Sequence, residues 1–425
     1  MHSTGGVADR FAPLAARIER RLPGGLPFAV RFWDESELRP DGDVSGDTIV
    51  VRDSRALSYI VTAPNQIGLG RAWVAGDLEL DGDLERALRA GELLRGVRLG
   101  LGDRLASLRA AARAGALRLR RPAPPESEAH LGGRLHSLRR DRAAVRHHYD
   151  VSNDFYRLVL GPTMVYSCAY FESDADSLEQ AQERKLDVVC RKLRLAAGER
   201  LLDVGCGWGS LVLHAAANYG ARAVGVTLSE PQADLARERI RAAGLADRCE
   251  IRIQDYREVA DGPYDKIASI GMYEHVGAAR LDRYMRRLRR LLRPGGLVLN
   301  HGIVRLSPRP GPRDGFIRRY VFPDGELHPV GRVVDSLERA GLELRDSESL
   351  REHYALTLRR WVSNLAANRD AALAAAGAER ERIWRLYMTG SALAFERGDI
   401  SVQQLLAAAP GAPVELPLAR AGSTA

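Results

Sequence analysis

Lysine is nearly absent from this chain. Of 63 basic residues only three, Lys185, Lys192 and Lys266, are lysine, and the arginine excess reflects a GC-rich genome rather than a mechanism. Cysteine is scarce too. Cys168, Cys190, Cys206 and Cys249 are widely spaced and none forms a CxxC pair. That spacing argues against a structural zinc site, and chain length argues against a disulfide scaffold. Reduced thiols and no metal are expected. No apolar run approaches the roughly 18 residues of a membrane-crossing helix. The first residues, MHSTGGVADRFAPLAARIERR, carry acids and lack the uninterrupted apolar core of a signal peptide. A cytoplasmic protein is the expectation. A hydrophobic fraction of 45% excludes a wholly disordered chain. At roughly 100–200 residues per domain, the length implies two or three domains.

The net charge of +8 is not evenly spread. Between Arg95 and Arg146 thirteen arginines stand against four acids, so this stretch carries +9 and the remainder −1. Within it, LLRGVRLGLGDRLASLRAAARAGALRLRR repeats Leu, Ala and Arg at near-helical spacing. Such a segment suits an anionic membrane surface or a partner, and equally a solvated helix joining two domains. Nucleic acid is disfavoured, because aromatic residues are not interleaved with the arginines.

Before this stretch, residues 26–34, 47–53 and 56–64 read as short β-rich runs between Gly, Asp and Pro turns, followed by a helical pattern. PAPPES, residues 122–127, reads as a linker. From Glu199 onward, strands and helices alternate. RLLDVGC, ARAVGVTL, CEIRIQD, YDKIASIG and GGLVLNHGIV are the strands; WGSLVLHAAANYG and EPQADLARERIRAAG are helices. This order predicts an α/β fold with a Rossmann-like, doubly wound sheet, which binds ligands at the C-terminal ends of its strands. The runs AAAGAE and LAAAP near the C-terminus read as helix or tail.

The first of these strands enters the turn Asp203-Val204-Gly205-Cys206-Gly207-Trp208-Gly209. Glycines there let the backbone turn tightly and approach a ligand. A glycine loop alone does not separate cofactors. Here the second strand ends in Thr227, Leu228 and Ser229, with Gln232 beyond, rather than in an acid for a ribose. Asp255 and Tyr256 follow the third strand. The combination resembles class I S-adenosylmethionine-dependent methyltransferases.

Further motifs narrow the resemblance. HYDVSNDFY (148–156), VYSCAYF (165–171), LLDVGCGWG, SIGMYEHVG (269–277), NHGI (300–303) and YVFPDGEL (320–327) are together similar to the cyclopropane-fatty-acyl-phospholipid synthase family, which includes the mycolic acid cyclopropane synthases. The resemblance runs from about His147 to Leu405. The N-terminal region is similar to that of the phospholipid-acting members.

The resemblance implies transfer of a methyl group from S-adenosylmethionine to a cis double bond in an acyl chain. A proton is then lost from the added methyl and a ring closes, with a bound bicarbonate as base. The residues matching its holders are Cys168, Glu274, His301, Ile303 through its backbone, and Tyr354. Those matching cofactor contacts are Tyr166, Ser167, Asp203, Gly205, Cys206, Gly207, Gly209, Thr227, Leu228, Gln232, Asp255 and Tyr256. One departure stands out. A second cysteine usual near the family's C-terminus is Ser391 here, which excludes a thiolate mechanism through that position.

Rival readings are the same methyl transfer ending in a methylene-branched chain, an amine N-methyltransferase, and an inactive lipid-binding relative. The expected organisation is a lipid-associated N-terminal domain (1–95), a basic amphipathic linker (96–130), a methyltransferase domain (131–410) and a tail (411–425). The expected partners are unsaturated phospholipids at an anionic membrane surface, met from the cytoplasmic side. A homodimer is compatible with all of this.

Overall fold

The computed structural model describes residues 6–22, 25–40, 46–94, 100–115, 122–149, 151–307, 315–414 and 416–417. Asp150, residues 95–99 and 116–121 of the basic stretch, and 418–425 of the tail lie outside the described residues. Contacts gather the chain into two units: 1–128 with 314–320 and 377–393, and 129–313 with 321–376 and 394–425. Each is assembled from three separate stretches, whereas a division at 95, 130 and 410 treats domains as consecutive spans.

The smaller unit holds a four-stranded sheet of β1 (Ala29–Arg31), β2 (Glu37–Leu38), β3 (Thr48–Val51) and β4 (Leu78–Asp81), in the order β2-β1-β3-β4. Residues 56–64, expected as a strand, are instead mostly helix, spanning Arg55–Thr62. Ala56 and Tyr59, three residues apart, are buried on one helical face beside Phe32, Val51 and Ala72. Asp53 Oδ1 accepts from Arg55 N at 2.7 Å and so satisfies a donor at the helix start. Burial of that face overrides the β preference of Tyr, Ile and Val.

The basic stretch contributes the helix Leu101–Arg113. Asp103, Ala110 and Ala111 are buried. Leu105 and Leu108, 53% and 41% exposed, share the outer face with exposed Arg109 and Arg113.

The larger unit is built on seven strands: β5 (Arg200–Val204), β6 (Arg222–Thr227), β7 (Cys249–Ile253), β8 (Tyr264–Ile270), β9 (Leu292–Arg305), β10 (Glu343–Ser349) and β11 (Ile400–Ala408). Their order is β10-β11-β9-β8-β5-β6-β7. From β9 to β7 every pairing is parallel, and β11 runs antiparallel to both its neighbours. The parallel strands are Val-, Ile- and Leu-rich because helices cover both faces. LAAAP, expected as helix or tail, contains the end of β11: Leu406, Ala407 and Ala408 pair with Leu299, Val298 and Leu297. Small alanines suit this central strand, where both faces are closed, and Ala407 is fully buried.

Candidate active site

The parallel strands all point their C-terminal ends to one edge, and the turns leaving that edge carry the motifs. After β5 the chain reverses through Gly205, Gly207 and Gly209, with φ of +80°, +54° and +75°. A Cβ on any of them would be strained. The amides of Gly205 and Cys206 both donate to Val226 O, at 2.9 and 3.0 Å, which pins the loop to β6. Trp208 Nε1 donates to Asn153 Oδ1 at 2.8 Å, and Asn153 Nδ2 donates to Pro231 O at 3.1 Å. One asparagine thus joins the glycine loop to the helix after β6. Its own helix, Asn153–Leu160, starts at Ser152, whose hydroxyl accepts from Phe155 N.

The other matched cofactor positions come to the same edge. Thr227 Oγ1 donates to Gln232 Oε1 at 2.9 Å, and both side chains are buried. Leu228 follows Thr227, half-buried. Asp255 is buried and takes two bonds from the Arg257 guanidinium, at 2.8 and 2.6 Å; Arg257 reaches on to Asp141. Tyr256 stands edge-on to Tyr284, ring centroids 5.4 Å apart. Tyr166 stacks on His148 at 5.5 Å and lies 5.2 Å from Trp361. Ser167 Oγ accepts from Lys185 Nζ at 3.0 Å. Lys185 is fully enclosed with Asp203 for a charged neighbour. Burial pulls the ammonium down to about 8 and pushes the Asp203 carboxyl up to about 7.

Beyond β8 the chain makes a single tight turn, Tyr273–His275, that carries Glu274. Glu274 Oε1 accepts from Ile303 N at 2.7 Å. Among the described residues its Oε2 is enclosed and meets no partner, and the same holds for Tyr273 OH and His301 Nδ1. Gly302 makes room for this arrangement, since a Cβ there would lie 2.4 Å from the Tyr273 ring and 3.0 Å from Glu274 Oε2. Burial pushes the Glu274 carboxyl up to about 7. Burial, with the Lys185 and Lys192 cations behind it, pulls His301 down to about 3.

Cys168 joins through Leu350. Its Sγ lies 3.7 Å from Leu350 O and 3.3 Å from Ala169 O, Leu350 N donates to Val402 O, and Val402 pairs with Ile303. Burial pushes this thiol far above its usual range, so it is a neutral SH. Tyr354 N donates to the same Leu350 O at 3.1 Å, and the Tyr354 ring rests against Trp361 and Phe395. Glu274 and Ile303 thus touch, His301 lies two residues along β9, and Cys168 and Tyr354 share one carbonyl. The family resemblance implies that the Ile303 amide meets a bound anion; in the structure this amide donates to Glu274.

Tyr273, Gly302, Lys185 and Gln404 were not singled out from sequence. The signal for Lys185 is its rarity as one of only three lysines, all of which the structure buries, at 1%, 7% and 6% exposure.

A glycine loop, this strand order and a polar edge at the strand C-termini define a class I S-adenosylmethionine-dependent methyltransferase. The family described as mycolic acid cyclopropane synthetase matches residues 136–405. A probable fatty acid methyltransferase of Pseudomonas putida is 43% identical over 392 residues, 91% of this chain and 92% of its own. Cyclopropane-fatty-acyl-phospholipid synthase of Escherichia coli is 36% identical, covering 65% and 71%. The structure of a mycolic acid cyclopropane synthase complexed with SAH and CTAB aligns with TM-score 0.60 at 36% identity, over 63% of this chain and 98% of that one. The chain belongs to the mycolic acid cyclopropane synthetase family.

Proposed function

We propose that this enzyme transfers one carbon from S-adenosylmethionine to the cis double bond of an unsaturated phospholipid acyl chain and closes it to a cyclopropane. The observation that carries the reading is the enclosed polar pair Glu274 Oε2 and Tyr273 OH, both beside Gly302. Buried polar atoms are normally partnered, so two side by side without partners among the described residues mark a place kept for something else.

The residues fit a small, protonatable anion such as bicarbonate. Glu274, with a carboxyl raised to about 7, can share a proton with an oxyanion, while His301 and Tyr354 supply N–H and O–H donors. When bound, bicarbonate would supply the base for a proton of the added methyl. The protein's own part is to position, exclude water and spread charge. An alkene is a weak nucleophile, so the donor must be held in line with it by the glycine loop, Tyr166 and Gln232. Water would trap a carbocation. Tyr166, Trp361, Tyr354 and Phe395 form a continuous aromatic group, which excludes water and presents π faces to cations. Cys168, neutral and enclosed, is a wall rather than a nucleophile.

The helix Leu101–Arg113 supports delivery from a membrane surface. Leu105 and Leu108 beside Arg109 and Arg113 form an outward face that suits an anionic bilayer. No helix among the described residues is long and apolar enough to cross a membrane.

A second reading is methyl transfer ending in a methylene-branched chain, favoured by the name of the P. putida relative, whose match extends over the N-terminal region. Expression in a bacterium with oleate-rich lipids, followed by mass spectrometry of fatty acid methyl esters, tests both. A product one methylene heavier that resists hydrogenation is the cyclopropane. One that takes up hydrogen is the branched form. No heavier product contradicts both readings.

A further inference from the structure

Behind His301 the sheet carries a polar row that the proposed chemistry does not use. His301 on β9 pairs in register with Gln404 on β11, and Gln404 pairs with Glu348 on β10. Leu297 and Leu299 of β9 and Leu406 and Ala408 of β11 all join one core cluster. Side chains alternate along a strand, so His301 and Gln404 lie on that same face. Side chains directly opposite in an antiparallel pair have Cβ atoms about 5 Å apart.

The helix Leu178–Lys192 ends over this row. Lys192 Nζ donates to Gln404 Oε1 at 2.9 Å and to the Glu348 carboxylate, with Asp346 at 3.5 Å. Glu348 also accepts from Tyr170 OH at 3.1 Å, which ties the row to the loop of Cys168. An ammonium has donors only. The amide oxygen of Gln404 must therefore face Lys192, and its NH2 turns away from it. Among the described residues two atoms of the row are enclosed without partners: Gln404 Nε2, a donor, and His301 Nδ1.

We propose that Gln404, oriented by Lys192, is a positioning residue that turns an N–H toward His301 Nδ1 and holds the imidazole as the neutral tautomer protonated on Nε2. A proton on Nδ1 would set N–H against N–H. The Lys185 and Lys192 cations oppose imidazolium in the same direction, as does burial. His301 is left with one N–H, at Nε2, which is the donor required of it under the proposed function; the inference rests on that reading for its catalytic consequence, though not for its geometry.

The test is nitrogen NMR of the full-length protein labelled with ¹⁵N-histidine, with His301 assigned by its loss in His301→Gln. The expected spectrum has Nδ1 unprotonated and Nε2 protonated. In Gln404→Glu the new carboxylate faces Nδ1 and draws a proton there. Turnover should fall about 100-fold, while S-adenosylmethionine affinity and acyl KM stay within about twofold. Gln404→Leu removes the donor without adding a charge and should cost about tenfold in kcat. Cofactor titration of each variant reports its folding, and Gln404→Leu carries the test if the acidic variant does not fold. A proton on Nδ1 in the wild type, or unchanged kcat and tautomer in Gln404→Glu, overturns the proposal. If the tautomer is as expected but His301→Gln still forms product, the assigned chemistry fails and the positioning stands.

Discussion

Asp47, Asp77 and Glu128 in the smaller unit and Glu274 in the larger one are all acids closed off from water, yet their surroundings differ. Asp47 takes a two-pronged bond from Arg86, both contacts 2.6 Å. Asp77 takes one from Arg55 at 2.5 and 2.6 Å. Glu128 takes one from Arg71 at 2.8 and 2.7 Å, and Tyr320 OH adds a third at 2.9 Å. The pairing holds Glu128 below the usual carboxylate range although burial alone would raise it. Among the described residues Glu274 meets backbone amides and no cation, so burial wins and its carboxyl rises to about 7. A buried acid whose oxygens are all engaged holds elements together. One left with an open oxygen is poised to hold a ligand or a proton.

The contrast can be broken in three ways. The largest expected effect on stability is in the smaller unit. Glu128→Ala strands the Arg71 charge and should lower stability by about 3 kcal/mol, measured by chemical denaturation. A change below about 0.5 kcal/mol would mean that this pairing does not hold the unit together.

Glu274→Gln should instead leave the fold as stable or more so, with a pH signature. The folded chain keeps the Glu274 proton up to about pH 7, whereas an unperturbed carboxyl loses it near 4.5. Within that window the folded state binds the extra proton, so wild-type stability falls as pH rises. The glutamine variant lacks this slope. Its advantage in unfolding free energy should grow from about pH 4.5 to about pH 7 and then level off, at about 3 kcal/mol in all. A constant difference would show that Glu274 titrates normally.

The smallest effect concerns the outer face of Leu101–Arg113. Replacing Leu105 and Leu108 by glutamate should weaken sedimentation with anionic liposomes, and added salt should weaken it for the unaltered protein. Equal binding to neutral liposomes would refute an electrostatic contact.

The parts of this site that could be read from sequence are those with a local signature. Near-continuous Val, Ile and Leu runs announced β5, β6 and β8, and Gly205, Gly207 and Gly209 announced the turn. Misreadings arose where tertiary burial decides. Residues 56–64 have β-branched and aromatic composition, but pack as a helix through Ala56 and Tyr59. LAAAP has helical composition, but closes the gap between β9 and β10. Gln404 is invisible in one dimension, because its meaning comes from standing opposite His301 and under Lys192. Tyr273 was passed over for the same reason: only Gly302, nearly thirty positions away, shows why its ring fits there.

The most direct measurement takes purified Glu274→Gln with S-adenosylmethionine and vesicles of unsaturated phospholipid, reading cofactor affinity by calorimetry and product by mass spectrometry. An open carboxyl serving the reaction predicts unchanged cofactor affinity and no detectable heavier acyl chain. Product formed at the wild-type rate would contradict the account.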